Sequence, residues 1–342
     1  MRSRINQLVA SQYFSFAVTV VLFLILYGVG MAMYKGFMRP QVFLNLFIDN
    51  AALIVVTVGI TFTLLIGGID LSVGAVVALC CMILAWVLAN TGIPVGIAVI
   101  GVLLLGTIFG LLQGYIITKF DLQPFIITLA GMFFCRGMTA VISRDTITID
   151  NEAYVAIASA RIDLGVGFIS VGAIIALLAM LVAAIVLGYT KFGRTVFAIG
   201  GNESSASLMG LPVFRTKVMV YTISGFCSAL GGVVYSLIML TGYNLHGLGM
   251  EMDAIASSVI GGTLLTGGVG FIPGTLFGVL IQGVILTFIN FQGTLSAWWT
   301  KIVVGALLCV FIVMQALITE HKSKLSSTSS MEGKKTANAS NG

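Results

Sequence analysis

Apolar residues run along this chain in long blocks, and the short polar interruptions between them carry most of the information. A helix needs about 20 apolar residues to cross a bilayer. On that measure ten blocks qualify, near 14–34, 46–66, 70–89, 94–118, 124–142, 168–189, 217–240, 252–266, 271–290 and 297–318. Glycine-rich turns break the third and the eighth. The pattern predicts an all-α polytopic membrane protein with about ten transmembrane helices. Its permease-like domain covers 1–319, and the Ser/Lys/Asn-rich stretch 320–342 reads as a disordered tail.

The most structured polar interruption is KFGRTVFAIGGNESSASLMGLPVFRTK, residues 191–217. It sets Lys191, Arg194, Arg215 and Lys217 against a single acid, Glu203. Within it stand the end signals of a short helix. Asn202 suits the N-cap, Glu203 the first turn, and Gly210 followed by Leu211-Pro212 the stop. A surface on which another protein pushes needs such a helix; a long loop that folds back fits the spacing equally well. The segment 143–167, with Arg144, Asp145, Asp150, Glu152, Arg161 and Asp163, fits either a small folded cap or a solvated linker.

Composition narrows the class. The chain is 58% apolar and 8% charged, with a mean hydropathy of +1.11, whereas soluble domains carry about 25% charged residues. Its surface therefore faces lipid. The net charge of +5 reads as topology, not nucleic-acid binding. With the N-terminus inside, eleven basic residues (Arg2, Arg4, Lys119, Lys191, Arg194, Arg215, Lys217, Lys322, Lys324, Lys334, Lys335) fall on the cytoplasmic side. Five (Lys35, Arg39, Arg144, Arg161, Lys301) fall outside or near that face, so both termini are expected inside. Trp298 and Trp299 then read as an outer aromatic belt. The first block is too long for a signal-peptide core. Cysteine and histidine spacing indicates no metal, disulfide framework or His-based catalysis, and no GxxxxGK[ST] phosphate loop occurs.

Polar residues inside or beside the apolar blocks are the candidates for a solute pathway. Gly67-Gly68-Ile69-Asp70-Leu71-Ser72 interrupts the second and third blocks. A carboxylate at a span centre costs about 2.5–3.5 kcal/mol, so Asp70 reads first as a helix cap and second as a substrate contact. Glu251 and Asp253 introduce the eighth block, either capping it or accepting hydroxyl hydrogen bonds at an outer gate. Arg136, about 18 Å along its span, either snorkels or pairs internally with Glu251 or Asp253. Asn244, Gln282 and Asn290 are weaker pathway candidates, with hydrogen bonding between helices as the preferred role. An echo between QGYIITKFDLQ (113–123) and QGVILTFINFQ (282–292), with glycine pairs at Gly67-Gly68 and Gly261-Gly262, predicts an inverted five-plus-five repeat.

Five stretches are more specific. IGGIDLSVGAVVA (66–78), PFIITLAGMFFCRG (124–137), FAIGGNESSASLMGLPV (197–213), EMDAIASSVIGGTLLTGGVG (251–270) and GTLSAWWTKIVVG (293–305) resemble the ribose-type sugar permeases of bacterial ABC importers, and within them the galactofuranose permeases. The resemblance spans about 40–315. It implies a multi-pass inner-membrane subunit without catalysis or cofactor of its own, with ATP bound by a partner. The implied partners are a second permease (an unlike paralogue), two copies of the ATP-hydrolysing subunit, a periplasmic sugar-binding protein, the sugar and the surrounding lipid. It also implies that 191–217 is the coupling segment, with Asn202, Glu203, Ala206 and Gly210 facing the ATPase. Importers of this kind often carry E-A-A-x3-G there, whereas here four residues separate Ser205 from Gly210. An ion-coupled secondary transporter suits broken helices too, but its ion site would need intramembrane carboxylates that are scarce here. A membrane-embedded enzyme would need a nucleophile–base or metal set that the residues do not assemble.

Overall fold

The computed structural model describes residues 14–293, 296 and 298–314. The predicted disordered tail and the basic N-terminal residues lie outside them. The helices are α1 (Phe14–Met33), α2 (Pro40–Asp49), α3 (Ala51–Leu65), α4 (Val73–Asn90), α5 (Val95–Lys119), α6 (Pro124–Ile142) and α7 (Glu152–Ser159). They continue as α8 (Val171–Tyr189), α9 (Lys191–Gly201), α10 (Glu203–Leu208), α11 (Val213–Met239), α12 (Met250–Ile260), α13 (Ile272–Gln292) and α14 (Trp298–Met314).

Each predicted apolar block contains a helix among its described residues, but the blocks are not ten equal spans. Among the described residues, seven helices are long and apolar enough to cross a membrane, or eight if α2 and α3, bent by 53°, count as one. The bend falls at Asn50, whose side-chain amide donates to the Leu46 carbonyl at 2.8 Å. The predicted span 252–266 is the clearest departure. Gly261 and Gly262 stop α12 after 11 residues, about 16 Å of helix, and the rest of that block is a backbone turn leading to α13.

Helix α11 occupies the centre, packed against α5, α3 and α4. Its approach to α5 is backbone on backbone. A Cβ added at Gly110 would sit 2.3 Å from the Tyr221 carbonyl oxygen, and one at Gly225 2.3 Å from that of Gly106. Close approach of this kind gives membrane helices their van der Waals packing. Buried hydroxyls tie a second group together: Thr61 Oγ1 lies 3.1 Å from Ser258 Oγ and 3.2 Å from Thr275 Oγ1, joining α3, α12 and α13.

The segment 143–170 is a folded cap. Strand β1 (Ile147–Thr148) pairs with β4 (Thr241–Gly242), and β2 (Arg161–Asp163) pairs with β3 (Phe168–Ser170), both antiparallel. Asn151 caps α7 by accepting from the Tyr154 N–H at 3.2 Å. The buried Tyr154 hydroxyl then anchors the cap on α11 through Ser236 Oγ at 2.6 Å. The cap closes one end of the bundle; α9 and α10 lie at the other.

Candidate functional site at two broken helices

The chain between α3 and α4 turns at Gly67, whose φ of +75° is open to glycine. The Gly67 and Gly68 N–H groups close the end of α3 on the Leu64 and Thr63 carbonyls. Asp70, 1% exposed, then sits ahead of α4. Its Oδ1 accepts from the Ser72 N–H at 2.9 Å and the Ser72 hydroxyl at 2.6 Å. Its Oδ2 accepts from Ser224 Oγ on α11 at 2.7 Å. Three donors hold a carboxylate where water does not reach. Asp70 thus closes the turn ahead of α4, but the N-cap position is Ser72 and no side chain caps the helix, so the predicted cap is replaced by a turn-closing role. Ser72 Oγ also lies 3.1 Å from Gln113 Oε1 on α5.

The second break is different. After β4 the chain runs back down α4, with Gly242 against Met82 and Ala85, and Gly247 against Gly74 and Val77. It starts α12 at Gly249, again with positive φ (+79°). Glu251 is 8% exposed and faces the first turn of α4. A Cβ on Gly74 would fall 2.3 Å from Glu251 Oε2 and 2.5 Å from the Gly247 carbonyl oxygen. Only glycine permits that meeting. The first turns of α4 and α12 therefore touch, and from there α4 runs toward the cap while α12 runs toward α9.

Arg136 enters from α6, and here the structure corrects the predicted internal pair. Its Nη1 donates to the main-chain oxygens of Asn244 at 3.0 Å and His246 at 2.7 Å. Among the described residues the ion pairs are Lys217–Glu203 and Lys301–Asp253. Asp253 is thus taken by Lys301 of α14. Glu251 lies within electrostatic reach of Arg136 without contact. Nη1 of the guanidinium serves the carbonyls that the re-entrant stretch leaves outside regular structure. Gln282 on α13 donates through Nε2 to the Asp253 carbonyl at 2.9 Å. Asn290 is exposed and takes no part in this cluster.

The sequence reading passed over His246, whose ring packs tilted against Tyr235 at 5.0 Å and edge-on to Tyr243 at 5.8 Å. One signal was available. Gly68-Ile69-Asp70-Leu71-Ser72 and Gly249-Met250-Glu251-Met252-Asp253 share the order glycine, apolar, acid, apolar, polar. In each case a glutamine from the following helix reaches back to the polar residue. The glycine pairs once matched in the echo do not follow this relation. Both turns lie at the α9 end, joined by the Gly268 N–H and the Leu65 carbonyl at 2.9 Å, whereas an inversion would set them at opposite ends.

At that end the polar island forms two helices where one was expected. Thr190 caps α9 by accepting from Gly193 N–H at 3.1 Å. Asn202 Oδ1 caps α10 on the Ser205 N–H at 2.7 Å. Gly210, φ +74°, ends α10, with its N–H on Ser207 and that of Leu211 on Ala206. Ala206 is buried, and Lys217 holds Glu203 at 2.8 Å and 3.0 Å. Helix α9 seats directly on the two glycine turns: a Cβ on Gly200 would lie 1.8 Å from the Leu65 carbonyl oxygen and 2.4 Å from the Gly268 nitrogen. Beside it opens a cleft of about 440 Å³ lined by Phe16, Arg194, Phe197 and Phe271 among others.

A bundle with two interrupted helices, a folded cap at one end and a doubly capped helix pair at the other is the architecture on which sequence relatives can be compared. The profile of a family described as "Branched-chain amino acid transport system / permease component" matches residues 42–312. The chain belongs to this permease family. Its relatives place it in the ribose-type ABC branch. It is 44% identical over 303 residues to the inner membrane ABC transporter permease protein YjfF of Escherichia coli, covering 88% of this chain and 92% of that one. Identity to the fructose import permease protein FruG of Bifidobacterium longum is 41% over 308 residues, 87% and 89% of the two chains. For the ribose import permease protein RbsC of Bacillus subtilis it is 36% over 283 residues, 82% and 86%. No solved structure matches. The chain is a multi-pass membrane permease component.

Proposed function

We propose that this chain is the translocation subunit of an ATP-driven, binding-protein-dependent monosaccharide importer of the bacterial inner membrane, with galactofuranose or a related sugar as cargo. It works with a second, unlike permease, two ATP-hydrolysing subunits and a periplasmic sugar-binding protein. Both termini face the cytoplasm, in line with the basic residues of the α9–α10 end. The relatives named for fructose and ribose import support the sugar class.

The observation that carries the mechanism is the seat of α9. Residues 191–217 form a rigid, capped unit whose tip exposes Leu208 and Met209 for a partner. Its inner side meets Leu65 and Gly268 through Gly200, and those two residues end α3 and precede α13. A push on α10 by the ATPase therefore reaches both interrupted helices through one contact, and the pathway alternates between the cap side and the α9 side. The relation between the α4 and α12 starts supports an inverted arrangement of the two halves. Asn202, Glu203, Ala206 and Gly210 shape the docking unit.

The test is co-purification of the tagged permease in mild detergent, comparing wild type with Glu203→Lys and Gly210→Pro. An ATPase and a second permease are expected with wild type, and the ATPase is expected to be lost from both variants. A chain that purifies alone and still transports on an ion gradient would replace this reading with a secondary transporter.

A further inference from the structure

Buried polar atoms in folded proteins are almost all hydrogen-bonded, and the exceptions call for an explanation. Four of them collect where the second break meets α6. Arg136 Nη2, Asn244 Oδ1, His246 Nδ1 and Glu251 Oε2 are each buried without a partner. Three facts bring them to one place. Arg136 Nη1 is bonded to the backbone of both Asn244 and His246. Glu251 lies within electrostatic reach of Arg136. Glu251 and Gly247 both abut Gly74.

The set has a chemical character. A guanidinium edge is a donor only, a carboxylate and an amide oxygen are acceptors only, and an imidazole nitrogen takes either role. A neutral polyol presents hydroxyls that each donate and accept, and neighbouring hydroxyls match a guanidinium–carboxylate pair. An inorganic anion would be repelled by Glu251, and a cation by Arg136. The rings of Tyr235 and Tyr243 around His246 add apolar faces of the kind that stack on a sugar's C–H surface. Asp70 provides the internal contrast, since its oxygens already receive three donors and have little left to offer.

We propose that Arg136, Asn244, His246 and Glu251 form a sugar-hydroxyl subsite inside the permease, at the meeting of α6, α12 and the re-entrant stretch 242–249. The subsite rests on the importer reading and adds to it: the permease itself inspects the sugar after the binding protein releases it. Glu251 and Asn244 accept from hydroxyls, and Arg136 donates to them.

The test is uptake of radiolabelled ribose, fructose and galactose by cells expressing the complete importer, with co-purification of the partner subunits confirming that each variant is assembled. Glu251→Gln and Arg136→Gln are expected to lower uptake of the transported sugar at least tenfold. Asn244→Ala removes a side-chain oxygen that has no protein partner, so its folding risk is small. It is expected to raise the apparent KM at least fivefold with little change in maximal rate. Assembled variants that all keep KM and rate within twofold of wild type overturn the subsite and leave the importer reading standing. A wild-type importer that takes up none of the three sugars, with all subunits present, counts against both.

Discussion

The starts of α4 and α12 are built on one residue order and have been put to opposite uses. At the first, Asp70 draws on Ser72 twice and on Ser224 once, so both carboxylate oxygens are paired, while Gln113 Nε2 and the Tyr221 hydroxyl beside the turn have no partner among the described residues. At the second, Glu251 keeps a buried oxygen unpaired, and neighbouring atoms of Arg136, Asn244 and His246 are unpaired with it. Each turn places one acid two residues after its glycine, and the second adds Asp253, which Lys301 pairs. What differs is whether the neighbours supply donors: α11 offers Ser224 to Asp70, while the first turn of α4 offers Glu251 only Gly74. The saturated carboxylate of Asp70 is architecture, and the less deeply buried Glu251, with one oxygen unpaired, is the one assigned to the sugar subsite.

Three substitutions press on that contrast. Asp70→Ala should have the largest effect, because it strands the buried Ser72 N–H and Ser224 hydroxyl at about 1–3 kcal/mol each and leaves the Ser72 hydroxyl only Gln113 Oε1. A loss of more than about 3 kcal/mol is expected, read as little folded permease in detergent by fluorescence-detected size exclusion. Recovery of wild-type amounts would show that the first turn is not structural. Gly74→Ala should come next, at about 1–3 kcal/mol for overpacking, since its new methyl collides with both Glu251 Oε2 and the Gly247 carbonyl. Thermal unfolding of the purified permease measures it, and an unchanged midpoint would mean that the two helix starts do not touch. Glu251→Gln should have the smallest effect on stability, within about 1 kcal/mol and of either sign, because replacing an incompletely paired buried charge is often neutral or stabilising. Stability held while uptake falls is the signature of a residue kept for function. A drop as large as that of Asp70→Ala would make the two turns equivalent and remove the contrast.

Much of this was legible in the residues. The apolar blocks located the helices, Gly67-Gly68 located the first break, and Asn202 and Gly210 located the ends of α10. Helix α9 was not legible. Its Gly193, Gly200 and Gly201 argue against a helix on propensity, and it is held instead by the Thr190 cap and by the backbone beneath Gly200. The partners of Arg136 were missed for a related reason: they are main-chain carbonyls, which every residue possesses and no side-chain pattern marks. The predicted eighth span failed because hydropathy counts residues and takes no account of a glycine turn that folds half of them aside.

The contact of Gly200 with Leu65 and Gly268 has a mechanical consequence. Levers joined through long side chains carry play, because a rotamer change absorbs small displacements before the next part moves. Here peptide groups face peptide groups, with no torsion between them to take up slack. A shift of α9 by a fraction of an ångström has to displace the ends of both interrupted helices by a comparable amount, so the linkage works without backlash.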